Sequence, residues 1–180
     1  AAGGQVVSLP EPRREGDVSV EAAIANRRSR REYGPGSLSL GDVGQLLWAA
    51  QGVTDPASGH RAAPSAGAKY PLEVYVVVES GGVQELDAGV YHYRPAPHGL
   101  ERVRDGEFQA ELRSASLNQE AVGGGAIDVV ITAIDERTME RYGERGRLRY
   151  VPMEAGHVGE NLALQAEALG LSTVSIGAFR

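Results

Sequence analysis

The chain contains no cysteine. That absence excludes disulfides, thiol nucleophiles, zinc–thiolate sites and iron–sulfur clusters together. Histidine is scarce as well: His60, His92, His98 and His157 stand far apart, without HxH or HExxH spacing. Surface or core roles therefore suit them better than a metal site, and none is expected. No apolar run approaches the roughly 20 residues needed to cross a bilayer. A G-x-S-x-G elbow is missing, and Ser65 has Pro64 where an elbow glycine would stand, which argues against a serine hydrolase. No G-x-G-x-x-G follows a strand, which argues against a Rossmann dinucleotide unit. Basic charge is also in deficit. A net charge of -6 and a pI near 5.3 speak against general nucleic-acid binding, which needs a broad basic surface.

What remains is an ordinary globular composition, 42% hydrophobic and 23% charged. A length of 180 residues suits one domain, burying roughly 70% of the surface its unfolded chain exposes. The first residue is Ala1 rather than Met, so the natural start is expected to have been removed; no signal peptide remains, and a cytoplasmic location is the expectation. Gly is abundant, 24 residues, so backbone must approach backbone or ligand closely in several places.

Against the acidic background, Arg27-Arg28-Ser29-Arg30-Arg31-Glu32-Tyr33 packs four guanidinium groups into five residues. Such a cluster repels itself unless compensated. It is either a solvated helix end or a receptor for a strong anion, and phosphate matches planar bidentate donors well.

Periodicity gives an α+β chain. Residues 1–16 lack a pattern and read as an extended arm before a domain spanning 17–180. Ser19 can cap a short helix carrying Val20, Ala23 and Ile24. Ser39 and Asp42 form a capping-box pattern, and Leu40, Val43, Leu46, Leu47 and Ala50 recur at helical spacing before Gly52. A loop rich in Ala, Ser, Gly and Pro runs from Thr54 to Pro71. Leu72 to Val78 is a buried strand, Gly81-Gly82 a turn, and Val90 to Tyr93 a strand joined through 94–99 to Leu100–Val103. A helix is expected around Glu107–Ser114, a strand over Ile127–Ile134, and a short helix capped by Asp135 through Tyr142. A long helix should run from about Met153 to Leu169, with Gly170 as its left-handed cap. Thr173–Ile176 reads as a third central strand.

Three motifs in order, Arg27 to Tyr33, Ala63-Pro64-Ser65-Ala66-Gly67-Ala68, and Glu154-Ala155-Gly156-His157 with Asn161-Leu162 and 165–171, resemble the nitroreductase family from about residue 17 onward. Gly89-Val90-Tyr91-His92-Tyr93 and the Pro-Ser-Ala-Gly-Ala loop are most similar to the branch of dehydrogenases that oxidise thiazoline and oxazoline rings in modified peptides. The resemblance implies a nitroreductase-like fold: a mixed, mainly antiparallel sheet flanked by helices, in a homodimer with FMN at the subunit interface. It implies phosphate and ribityl contacts from Arg27, Arg28 and Ser29, with Arg31 assisting. Pro64, Ser65, Ala66, Gly67 and Ala68 would approach the isoalloxazine edge of the partner's flavin. Gln119 aligns with a flavin-edge amide, although a merely solvated Gln reads equally well. Ile176, Gly177 and Ala178 would run along the ring, aiming an N–H at N5. Relatives continue beyond the position of Phe179-Arg180 into a further strand and interface segment, which this sequence does not include.

The expected function is an FMN-dependent oxidoreductase passing a hydride through flavin N5, from NAD(P)H to a small organic acceptor by a ping-pong mechanism. An azoline-type peptide dehydrogenase is the first alternative. Its branch uses a Lys-Tyr pair as base before the last long helix, where this chain has Arg141-Tyr142. Arg is no base at ordinary pH, so Tyr142 alone would have to serve. The second alternative is a non-enzymatic flavin-binding protein. No nucleic-acid or membrane partner is expected.

Overall fold

The computed structural model describes residues 6–180. Along the chain lie β1 (Val6–Ser8), α1 (Val20–Asn26), α2 (Leu40–Gln51), β2 (Val53–Asp55), β3 (His60–Arg61), β4 (Leu72–Val78), β5 (Gly89–Arg94), β6 (Gly99–Asp105), α3 (Gln109–Ala115), β7 (Ile127–Ala133), α4 (Glu136–Tyr142) and α5 (Val151–Ala168). Five strands form one sheet in the order β1-β6-β5-β4-β7, every neighbouring pair antiparallel. The parallel component among the described residues is a single bridge between Leu38 and Val83. β4 is the spine of this sheet, paired over its whole length with β7 from Leu72↔Ala133 to Val78↔Ile127.

α2 is seated by the capping box read from the sequence: Ser39 Oγ accepts from the Asp42 N–H at 3.1 Å, and the Asp42 carboxylate accepts from the Ser39 N–H at 3.1 Å. It is buried on nearly every side, as a helix between a sheet and a second helix must be. Leu40, Val43 and Leu47 pack on Val74, Val76 and Val78 of β4 and on Tyr91, Tyr93 and Leu100. A second cluster joins Ala50, Ala63 and Leu72 to Val151 and Val158 of α5. Leu47 is fully buried between these layers. Leu47→Ala is expected to cost about 2–5 kcal/mol, read by chemical denaturation. A loss below 1 kcal/mol would show that the neighbours collapse into the space.

α5 ends in a Schellman cap: Leu171 N–H donates to Ala166 O at 2.8 Å, Gly170 N–H to Glu167 O at 3.0 Å, and Gly170 has φ +71°. The chain then turns back along the molecule, and here one expectation fails. Residues 173–176 form no strand. Their β-branched pattern is that of a strand, but the neighbour they meet is the segment after α1, through one bond from Arg30 N–H to Thr173 O at 2.9 Å. Asp135 also departs from expectation. Its backbone is already helical (φ -55°, ψ -35°), which turns the side chain away from the first-turn amides, and it caps nothing. The 54–71 loop is more ordered than its composition suggests, holding the β2–β3 hairpin and a 3₁₀ turn at Ala66–Ala68.

Candidate functional site

The arginine cluster begins where α1 stops. Ser19 caps the helix by accepting from the Ala22 N–H at 3.1 Å, and Arg27 breaks it by turning extended (φ -51°, ψ 127°). The four arginines then divide. Arg30 pairs with Glu167 of α5 at 2.5 Å and is committed to holding α1 on α5. Arg28 donates through Nη1 to the carbonyls of Ala25 (3.0 Å) and Arg27 (2.7 Å), closing the helix end and leaving its other nitrogens open. Arg27 stands 3.7 Å from Glu160, too long for a tight bond. Ser29 and Arg31 are exposed.

The C-terminal segment links this cluster to Gln119. Besides the Arg30–Thr173 bond, the Gln119 amide donates to Ala178 O at 2.9 Å and to Ser116 O at 3.0 Å, while Arg180 N–H donates to Ala115 O at 2.9 Å. Ile176, Gly177 and Ala178 therefore lie as an extended, largely exposed ribbon between Arg27–Arg31 and Gln119. These expected flavin contacts share one region of the chain.

The 64–68 loop lies elsewhere, against the first turn of α5. Ser65 Oγ accepts from the Tyr70 N–H at 2.8 Å. Gly67 (φ +60°), Ala68 (φ +52°) and Tyr70 (φ +46°) are all left-handed, a conformation that costs non-glycine residues about 1–3 kcal/mol and persists only where its surroundings enforce it. A Cβ on Gly67 would come within 2.7 Å of the Tyr142 hydroxyl and 3.3 Å of an Arg141 guanidinium nitrogen. The structure thus brings Tyr142 onto the loop. Pro64, Gly67 and Ala68 are exposed, while Ser65 and Ala66 are half-buried. The two groups meet α5 at different heights. Ser65 lies beside the Glu154 carboxyl, and Arg30 pairs with Glu167. Thirteen residues at 1.5 Å each put these two anchor points about 20 Å apart along the axis, with Arg27 facing the helix between them at Glu160.

Glu154 is the residue to which sequence reasoning gave no role. It is 2% exposed, with the Gln51 amide 3.5 Å away and Arg61 beyond, bound to Gln51 Oε1 at 3.2 Å. Burial raises its carboxyl above the usual range, an effect partly offset by hydrogen bonds from Ser65 and Gln51 and by Arg61 and His157. The signal was present: Val151, Glu154, Ala155 and Val158 share one helix face, so an acid stands in an apolar stripe. A folded-state pKa raised by burial stabilises below the ordinary carboxylate pKa, and that contribution is lost as pH rises through the folded value. Glu154→Gln is therefore expected to gain stability relative to the parent chain as pH is raised from 4 toward 8. Urea unfolding across that range checks it, and a difference independent of pH would contradict it.

With this geometry in view, the comparisons agree. The nitroreductase family profile matches residues 24–180, and the chain belongs to the nitroreductase family. A Methanocaldococcus jannaschii protein named for the nitroreductases, MJ1384, is 45% identical over 163 residues, 91% of this chain and 80% of that protein. The microcin B17-processing protein McbC of Escherichia coli is 36% identical over 137 residues, 74% of this chain, which spans 50% of McbC. The trifolitoxin-processing protein TfxB of Rhizobium leguminosarum is 34% identical over 147 residues, 76% of this chain, which spans 39% of TfxB. Among solved structures, a Ralstonia eutropha protein of nitroreductase type superposes with TM-score 0.79 at 30% identity, covering 96% of this chain and 76% of its own. The E. coli microcin synthetase McbBCD complex with truncated pro-MccB17 bound superposes with TM-score 0.67 at 30% identity, covering 93% and 65%. Among the described residues, no helix is long and apolar enough to cross a membrane.

Proposed function

We propose that this chain is an FMN-dependent oxidoreductase whose flavin site is completed between two copies. The observation that carries the reading is the division of the expected contacts. Arg27–Arg31, the 176–178 ribbon and Gln119 cluster in one region, which meets α5 at Glu160 and Glu167, while the 64–68 loop and Tyr142 cluster at its first turn, about 9 to 20 Å away along the axis. The donor chemistry fits a flavin phosphate: Arg27 is loosely paired, Arg28 has free nitrogens, and Ser29 and Arg31 are open to solvent. Exposed Val20 and Ile24 on α1, with Leu148 and Met153 before and on α5, supply apolar surface for a second copy to cover.

When bound, FMN supplies two-electron redox chemistry at N5, between NAD(P)H and a small organic acceptor taken in turn. The protein's part is to grip the phosphate with Arg27, Arg28 and Ser29 and to present backbone N–H groups from 176–178 and 65–68 to the ring. The strained loop, tied by Ser65 to the Tyr70 N–H, stays in place without reorganising. The test is direct. The purified chain with added FMN should acquire a bound flavin spectrum and consume NADH or NADPH with parallel-line kinetics in two substrates; a chain that takes up no FMN sinks the proposal.

A second reading, a dehydrogenase of azoline rings in peptides, is favoured by Tyr142 lying on the loop and by similarity to McbC and TfxB. Under it, Tyr142→Phe should abolish oxidation of a thiazoline-bearing peptide while leaving NAD(P)H consumption intact. Equal activity of the two chains on that peptide would remove Tyr142 from the mechanism.

A further inference from the structure

Behind the 64–68 loop, where β4 begins and β5 ends, lies a cavity of about 360 Å³ that neither the arginine cluster nor the C-terminal ribbon touches. Its wall carries four cations, unusual in a chain of net charge -6. Three of them are already satisfied. Arg137 pairs with Glu73 at 2.6 Å, Lys69 with Glu140 at 3.2 Å, and Arg94 with Glu101 at 2.5 Å. Arg61 has no carboxylate at ion-pair distance among the described residues. Its guanidinium is stacked over the Tyr70 ring at 4.5 Å and touches only the neutral Gln51 amide, which stands between it and Glu154. Half-burial disfavours its charge.

The one carboxylate facing the cavity, Glu73, is spoken for on both oxygens: Arg137 holds Oε1 and His92 holds Oε2 at 2.5 Å. It repels an incoming anion little. A half-buried guanidinium seated over an aromatic ring, with N–H groups that have no protein partner among the described residues, is a receptor for one planar oxyanion. Charge counting selects the class. A single unpaired cation balances a carboxylate, whereas a phosphate dianion would need a second, and none is free. Pro95, with the edges of the nearly buried Leu72 and Val74, adds a small apolar patch to this mainly polar wall, sized for the body of a small organic acid.

We propose that this cavity binds a small organic carboxylic acid, its carboxylate on Arg61 and its apolar body against the start of β4. The site is distinct from the flavin contacts but one side chain removed from them, because Tyr70 both carries Arg61 on its ring and donates its N–H to Ser65.

The test titrates the chain, without flavin, with sodium benzoate, with neutral benzamide and with inorganic phosphate at matched ionic strength. Thermal unfolding and calorimetry are the readouts. Benzoate should give a saturable rise in Tm at concentrations up to about 10 mM, where a millimolar site is filled. Benzamide should bind roughly tenfold more weakly or worse, phosphate should not compete, and Arg61→Gln should weaken benzoate by roughly tenfold or more. Arg61→Lys, which keeps the charge but not the planar fork, should bind with intermediate affinity; it decides the matter if Arg61→Gln does not fold. Equal binding of benzoate and benzamide, displacement by phosphate, unchanged affinity in the Arg61 variants, or no binding at 10 mM would each overturn the proposal. Since no flavin enters the measurement, failure here leaves the oxidoreductase reading untouched.

Discussion

A chain carrying Arg27→Ala and Arg28→Ala, and a chain carrying Gly67→Trp, should each fail to hold FMN, and mixing the two should restore binding. Each arginine removed deletes a charge-assisted contact worth about 1.5–3 kcal/mol, roughly ten- to a hundredfold in affinity. Gly67→Trp acts differently. At φ +60° a side chain is strained, and its Cβ alone would reach 2.7 Å from the Tyr142 hydroxyl, so an indole must displace Tyr142 or distort the loop. If the two motifs serve the same flavin from different subunits, a heterodimer places both defects in one site and leaves the other whole. Random reassortment makes half the dimers mixed, so about a quarter of all sites should bind FMN again. Added FMN should also shift the parent chain from monomer toward dimer, because a ligand favours the state that binds it better. Flavin-loaded protein sedimenting as a monomer, or mixed chains recovering nothing, would break the shared-site reading. Circular dichroism of each variant separates a lost site from a lost fold.

The second large effect is on the fold. Two adjacent glycines read alike in the sequence yet answer different needs. Gly81 has φ +73° and open space around its Cβ position. Gly82 needs no special φ, but a Cβ there would fall 2.2 Å from the Ala126 carbonyl oxygen, where the 81–83 turn crosses the entry to β7. Gly82 also accepts from the Leu38 N–H at 2.8 Å and so ties the segment before α2 to the turn. Gly81→Asn should be nearly neutral, because Asn tolerates the left-handed region. Gly82→Asn should cost about 3 kcal/mol or more, since the opposing atom belongs to rigid backbone and cannot give. Urea midpoints of the two variants make the comparison, and equal costs would refute the packing account.

Those glycines also show where sequence reading reaches its limit. α2 was legible because its signals are local: a capping box, apolar spacing and a stop at Gly52 lie within fourteen residues. Gly170 was legible for the same reason. Thr173–Ile176 was not, since membership of a sheet depends on a neighbour with a free edge, and the neighbour supplied by the fold is the Arg27–Tyr33 segment. Asp135 has a capping residue's chemistry without the extended backbone that capping needs. At the site, the cluster and the loop were visible as motifs, and the family resemblance supplied their partners. The bond from Gln119 to Ala178, the contact of Tyr142 with Gly67, and the Gln51–Arg61 network behind the loop join residues 10 to 75 positions apart. No local pattern encodes such pairings.

α5 has a further consequence as a spacer of fixed length. It engages the loop at Glu154 and the arginine segment at Glu160 and Glu167. One residue inserted between these anchors would turn everything beyond it by about 100° and lengthen the span by about 1.5 Å. Arg30 would then face the wrong side of the helix while the loop stayed where it was. Chain length between residues 154 and 167 should therefore be far less free to change in functional descendants of this protein than the identity of most side chains along it. Random libraries scored for flavin retention would be expected to tolerate many substitutions there and reject nearly every insertion or deletion.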